Sequence, residues 1–186
     1  DRLDAPPGVP VTDVLVVCTG NAARSVMAGI MLERLAQERG AVLSVRTAGT
    51  HALPGQPPSR RTRDALAAVL TSEGANAVNR HRSRPLAAED LAVSDLVVAM
   101  EADHVRYIRT HFERATPRTA TIRRLCRDLP PGPPGSLPVR LAALDLAGDE
   151  PDPSEDVTDP AGCDLEAYVA CARELRALTA ELMERL

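Results

Sequence analysis

The chain contains no lysine and no tryptophan, and only two tyrosines and one phenylalanine. All 22 of its basic residues are arginine, which reads as the coding bias of an Arg- and Ala-rich genome rather than as a recognition surface. No apolar run approaches the ~20 residues that span a bilayer, so a membrane role is not expected. A net charge of −4 gives no basis for general nucleic-acid binding. Four cysteines in 186 residues do not make a disulfide framework, and no Cys/His spacing marks a metal site. A reduced, cytoplasmic protein without metal or other cofactor is the expectation. Cys163 and Cys171, eight apart on one helix, would lie about 12 Å from each other, too far for a disulfide.

What is present suits a single domain with a proper core: 44% hydrophobic and 26% charged residues. Residues 1–10, with two acids and three prolines, read as a flexible N-terminal tail and not as a signal peptide. Residues 11–186 then alternate two periodicities. Val11–Cys18 is a short continuous apolar run, as in a strand buried on both faces. Ser25–Arg39 places Val26, Met27, Ile30, Met31 and Leu35 at helical spacing, with Gly40 as a stop.

Val42–Thr47 reads as a second strand. Ser59 can cap a helix running to about Ser72. A short helical turn near Ala87–Leu91 precedes a third strand, Asp95–Met100. Ala102–Arg114 looks helical, and Thr119–Leu125 reads as a weaker fourth strand. Arg127–Thr158, rich in Pro and Gly and then acidic, is expected to be one long loop. Leu165–Leu186 closes the chain as an amphipathic helix. The alternation predicts one α/β domain, a four-stranded parallel sheet flanked by helices.

In such sheets ligands bind beyond the carboxyl ends of the strands, and Cys18-Thr-Gly-Asn-Ala-Ala-Arg24-Ser25 lies at such an end, between first strand and first helix. A helix N-terminus offers unpaired N–H groups and a partial positive charge to an anion. The backbone of Thr19, Gly20, Asn21, Ala22 and Ala23 can wrap a phosphate, with Gly20 and Asn21 supplying unusual backbone angles. Arg24 adds a planar fork for two phosphate oxygens. A cysteine sulfur beneath that phosphate can attack phosphorus in line and form a phosphocysteine.

The loop resembles that of the low-molecular-weight protein tyrosine phosphatase family, Cys-x-Gly-Asn-x-Cys-Arg-Ser-Pro. The likeness continues in Thr47-Ala48-Gly49-Thr50, His81-Arg82-Ser83-Arg84, Ser94–Met100 and Asp159-Pro160. It implies Cys18 as nucleophile, Arg24 as phosphate clamp, and Ser25 as hydrogen-bond donor to the Cys18 sulfur. It also implies a polar network of Asn21, Thr47 and His81 holding the loop. Among the acids Asp149, Asp152, Asp156 and Asp159, it favours Asp159 as general acid, since Asp159-Pro160 lies just before the last helix; Asp152, also before a proline, is the runner-up. His51, His104 and His111 read as surface residues.

Three departures from the family bear on function. Ala23 replaces its second loop cysteine, so a vicinal disulfide with Cys18 is not available. Val26 replaces the proline that follows the loop serine. Its slot-wall aromatics give way to His51, Ala52, Leu53, Ala161 and Gly162, which weakens the case for a phosphotyrosine slot. The expected substrate is a phosphate ester, either phosphotyrosine in a protein or a phosphorylated small molecule, possible ones including biosynthetic intermediates. Arg60, Arg61 and Arg63 are placed to steer an anionic partner. The alternatives are an arsenate reductase, which would need a thiol relay through Cys126, Cys163 or Cys171, and a non-catalytic phosphate-binding module.

Overall fold

The computed structural model describes residues 11–71, 76–133 and 136–186; the tail expected over residues 1–10 lies outside them. Strand β1 (Thr12–Cys18) is followed by helix α1 (Arg24–Arg39), strand β2 (Leu43–Gly49) and helix α2 (Arg60–Val69). A 3-10 turn at Val78–Arg80 leads to α3 (Ala88–Ala92), strand β3 (Leu96–Ala99) and α4 (Ala102–His111). After a second 3-10 stretch, Glu113–Arg118, come β4 (Thr119–Thr121), α5 (Ile122–Asp128), α6 (Leu137–Ala142) and α7 (Leu165–Met183).

The strands form one sheet in the order β2-β1-β3-β4, every pairing parallel. Every residue of β1 is buried, because helices cover both faces of the sheet. Strand periodicity divides its side chains between two cores. Val14, Val16 and Cys18 join the larger one, with Met27 and Met31 of α1 and Leu175 and Leu182 of α7. Leu15 and Val17 point the other way, to Val97 and to Ile108 of α4. Helix α1 stops where Gly40 turns left-handed, φ 65°, its N–H bonded back to Gln37.

Two expectations are corrected. Thr119–Leu125 is a strand only as far as Thr121. There the Thr121 side chain accepts the Arg124 N–H at 3.1 Å and starts α5, whose Ile122, Leu125 and Cys126 pack inward at helical spacing. Within the segment expected as one long loop, α6 and a 3-10 turn at Pro153–Glu155 intervene, and Leu137, Leu141, Leu146 and Val157 are buried in the larger core. Pro138 stands in the first turn of α6 and Pro153 opens the 3-10 turn, places where a proline's missing N–H costs nothing. Cys163 also precedes α7 rather than lying on it, and all four cysteines are free. Among the described residues no helix is long and apolar enough to cross a membrane.

Candidate active site

The loop from Cys18 to Arg24 joins the carboxyl end of β1 to the first turn of α1. Its carbonyls are tied outward one after another. Cys18 O accepts from Thr50 N at 3.0 Å and Thr19 O from His51 N at 2.9 Å. Asn21 O accepts from His81 Nε2 at 2.8 Å, and Ala22 O from the Thr62 hydroxyl at 3.0 Å. A trans peptide sets each N–H opposite the preceding carbonyl, so the N–H groups of Thr19, Gly20, Ala22 and Ala23 turn to the inside of the loop. An anion-binding cradle results.

Asn21 is the fastener. It alone in the loop is left-handed (φ 50°), and it is fully buried. The strain expected of Gly20 therefore falls on Asn21, whose short polar side chain tolerates that region. Its Oδ1 accepts the Arg84 N–H at 3.0 Å, which leaves Nδ2 to donate to Thr47 Oγ1 (2.9 Å) and Ser25 Oγ (3.0 Å). Ser25 Oγ lies 3.0 Å from Cys18 Sγ; since it already accepts from Asn21, its own hydrogen is free for the sulfur. Thr47 and His81 thus meet Asn21 as expected. Burial lowers the pKa of His81, and as its Nε2 bonds a carbonyl, that nitrogen carries the proton.

Gly49 packs directly under this loop. A Cβ there would stand 2.5 Å from Thr19 O, 2.8 Å from Ala52 Cβ and 2.9 Å from Asn21 N. Two of those atoms are loop backbone, so Gly49→Ala must displace the cradle itself. We expect a loss of about 10–100-fold in kcat/KM for an aryl phosphate and about 1–3 kcal/mol in stability. Steady-state kinetics and thermal unfolding on one preparation test this; unchanged kinetics would show that the loop's backbone position is not limiting.

Cys18, Gly20, Ala22, Ala23, Arg24 and Asp159 line one cleft of about 90 Å³, closed by Ser59 and Thr62 of α2, Ala161, and Tyr168 of α7. Arg24 is 1% exposed, so its charge requires partners close by. Nη1 donates to Glu101 Oε1 and, at 2.9 Å, to Val157 O; Nη2 donates to Asp159 Oδ2 at 2.7 Å. The structure brings Asp159 to the cleft and leaves Asp152 outside it, where its side chain caps the 3-10 turn. Asp159 Oδ1 also accepts the Ala161 N–H at 3.1 Å. Val157 N donates to Met100 O at 2.8 Å, which fixes the acidic segment to the end of β3.

The side chains of Thr19 and Asn21 face away from the cleft, the first to His104 and the second to the loop's supports. Any part they take in substrate binding is through the backbone. Of the residues read as slot walls, Ala161 lines the cleft, whereas Leu53 is 72% exposed elsewhere. The expected loss of aromatics is therefore incomplete, because Tyr168 supplies one ring.

Glu101, His104, Val157 and Tyr168 carry no motif, yet all four build the site. Glu101 had one signal, its place directly after an apolar strand at the carboxyl edge of a parallel sheet. His104, expected at the surface, is 3% exposed. Its Nε2 shares a 2.9 Å hydrogen bond with Thr19 Oγ1 and lies 3.4 Å from Glu101 Oε2. Burial, then the nearby Arg24 charge, pushes its pKa down to about 3, against the opposing pull of Asp103; His51 adds to the lowering.

Above about pH 6.5, the ordinary histidine value, His104 is neutral in both folded and unfolded chains. As pH falls below that, the unfolded chain takes a proton that the folded one refuses, and stability drops until about pH 3. The contribution is on the order of a few kcal/mol. Denaturant unfolding from pH 7 to 4 should show a shallower decline for His104→Asn than for the parent protein. Parallel curves would assign acid sensitivity to other groups.

The comparisons with known proteins agree with this geometry. Residues 13–129 match the family model described as low molecular weight phosphotyrosine protein phosphatase. The protein-arginine-phosphatase of Bacillus subtilis (strain 168) is 30% identical over 174 residues, covering 94% of this chain and 96% of that protein. The crystal structure of a low molecular weight protein tyrosine phosphatase from T. tengcongensis superposes with a TM-score of 0.73 at 29% identity, over 94% of this chain and 99% of that one. A cysteine-to-serine variant of an arginine phosphatase, with a phosphorylated active-site serine, gives 0.71 at 26% identity, over 92% and 93%. With its cradle at the end of β1 and these likenesses along nearly its whole length, the chain is a phosphatase and belongs to the low molecular weight phosphotyrosine protein phosphatase family.

Proposed function

We propose that this phosphatase works through a phosphocysteine and acts on phosphoarginine side chains of proteins. The observation that carries the chemistry is the convergence of Cys18, Arg24 and Asp159 on one cleft beside an inward-facing set of N–H groups. Phosphate oxygens bind the cradle N–H groups and the Arg24 guanidinium. The Cys18 sulfur, stabilised as an anion by the Ser25 hydroxyl, attacks phosphorus. As the S–P bond forms, the bond to the leaving group breaks, and Asp159 in its acid form gives that group a proton. Asp159, now ionised, takes a proton from water; the water oxygen attacks phosphorus, the S–P bond breaks, and inorganic phosphate leaves. Asn21, Thr47 and His81 keep the loop in shape throughout.

Support for the substrate comes from the walls and the relatives. Ala22, Ala23 and Ala161 leave room beside the phosphate, and Asp159 in its acid form can give its proton to the guanidino nitrogen leaving phosphorus while its other oxygen accepts a hydrogen bond from the same group. The B. subtilis relative that aligns from end to end is named an arginine phosphatase. Phosphotyrosine is the second reading, favoured by the Tyr168 ring, which could add about 1 kcal/mol of aromatic contact. A thiol relay of the arsenate-reductase kind finds less support, because burial pushes Cys126 and Cys171 up to about 12 and keeps them as thiols, which leaves exposed Cys163 alone of its three candidates.

The test compares kcat/KM for one peptide phosphorylated on arginine, the same peptide on tyrosine, and a sugar phosphate. Phosphoarginine is expected to lead by about tenfold or more. A lead for phosphotyrosine would transfer the assignment to the second reading, and a lead for the sugar phosphate would remove protein from the substrate class.

A further inference from the structure

One wall of the cleft is the first turn of α2. Ser59 and Thr62 line the cleft; Ser59 Oγ accepts from Thr62 N at 3.1 Å, and the Thr62 hydroxyl donates to Ala22 O of the phosphate cradle. The turn is therefore latched to the loop that holds the phosphate. Three arginines stand on it, Arg60, Arg61 and Arg63, all exposed, and no acidic residue accompanies them in that turn. Cations at a helix N-terminus oppose the helix dipole, so this composition weakens α2. Asp64, 3.4 Å from Arg60, offsets one of the three charges. Arg61 and Arg63 make no ion pair among the described residues.

Another part of the lining has the opposite sign. Asp159, Ala161 and Tyr168 line the cleft there, and exposed Asp164 and Glu166 lie between the last two in sequence. The cleft is thus lined by one segment whose sequence neighbours are basic and by another that is acidic. Local unfavourable placement of charge is expected where function requires it.

We propose that Arg60, Arg61 and Arg63 dock acidic residues flanking the phosphorylated residue of a protein substrate, on one side of it only. The inference rests on the reading of the enzyme as a protein phosphatase. Complementary charge at such a place raises association and selects partners more than it adds affinity. Acidic residues directed towards Asp159 would meet a like charge and gain nothing.

The experiment uses three phosphopeptides that share the phosphorylated residue and differ in flanking charge: an acidic run before it, an acidic run after it, or neither. With the wild-type enzyme one acidic peptide should exceed the neutral one about tenfold in kcat/KM, and the other should not. The preference should shrink in high salt. A combined R60A/R61A/R63A variant should lose it while hydrolysing p-nitrophenyl phosphate at the wild-type rate, and the matching lysine variant should keep most of it. Equal rates for all three peptides with wild-type enzyme would overturn the docking role without any variant, as would a preference that survives in the alanine variant. Should p-nitrophenyl phosphate be turned over but no peptide, the protein-phosphatase reading fails. The docking role is then judged by binding of the same peptides to the Cys18→Ser protein, where lack of an acidic preference defeats it.

Discussion

Cys18→Ser is expected to lower turnover of any phosphate monoester by about 10³–10⁴-fold while leaving the fold intact. The hydroxyl is smaller than the thiol and fits beside Ser25, so packing around the end of β1 is little disturbed. What is lost is nucleophilicity. A serine oxygen stays protonated at neutral pH; among the described residues no histidine lines the cleft, and its carboxylate, Asp159, is engaged by Arg24. Of the imidazoles beside the loop, His104 bonds Thr19, and burial with the Arg24 charge lowers its pKa to about 3. Initial rates with p-nitrophenyl phosphate measure the loss. Mass spectrometry of wild-type enzyme quenched during turnover should find phosphate on Cys18. Full activity in the serine variant would sink the covalent mechanism.

Arg24→Lys, a change that keeps the charge, is expected to cost about 10²–10³-fold in kcat/KM. The guanidinium spans Glu101 and Val157 O with one nitrogen and Asp159 with another, and its plane also suits two phosphate oxygens. A compact ammonium cannot reach all of them. Removing part of a buried charge network also lowers stability, here by about 1–3 kcal/mol rather than more, because both carboxylates are partly exposed. Loss of kcat and kcat/KM in equal measure would mark Arg24 as a stabiliser of the transition state. A rise in KM alone would restrict it to ground-state binding.

Much of this was legible because the signals are local. The apolar run into Cys18, the helical spacing after Arg24, the stop at Gly40 and the cap at Ser59 each act within a few residues of themselves. Thr121 misleads because one residue ends a strand and caps a helix, and Ile122 and Leu125 suit either pattern. The segment after Arg127 misleads by composition. Its prolines suggest a loop, while Leu137, Leu141, Leu146 and Val157 are spaced too irregularly to announce that all are buried. In the site, Cys18, Arg24 and Asn21 follow from one short stretch. Glu101 and His104 act across about eighty positions of sequence, and that proximity exists only once β3 lies beside β1. Tyr168 reaches the cleft only because α7 packs against α1.

Val157 joins the acidic segment to Met100 and Arg24 with its peptide N–H and C=O alone. The two backbone bonds exclude proline at this position, and the fully buried side chain excludes a charged one. Its neighbours are held as well, Glu155 by the Thr121 hydroxyl and Asp156 by the Ala102 N–H. Three consecutive residues thus moor the segment that ends two positions before the acid, and tolerance to substitution should be lowest there and rise towards exposed Asp149 and Glu150.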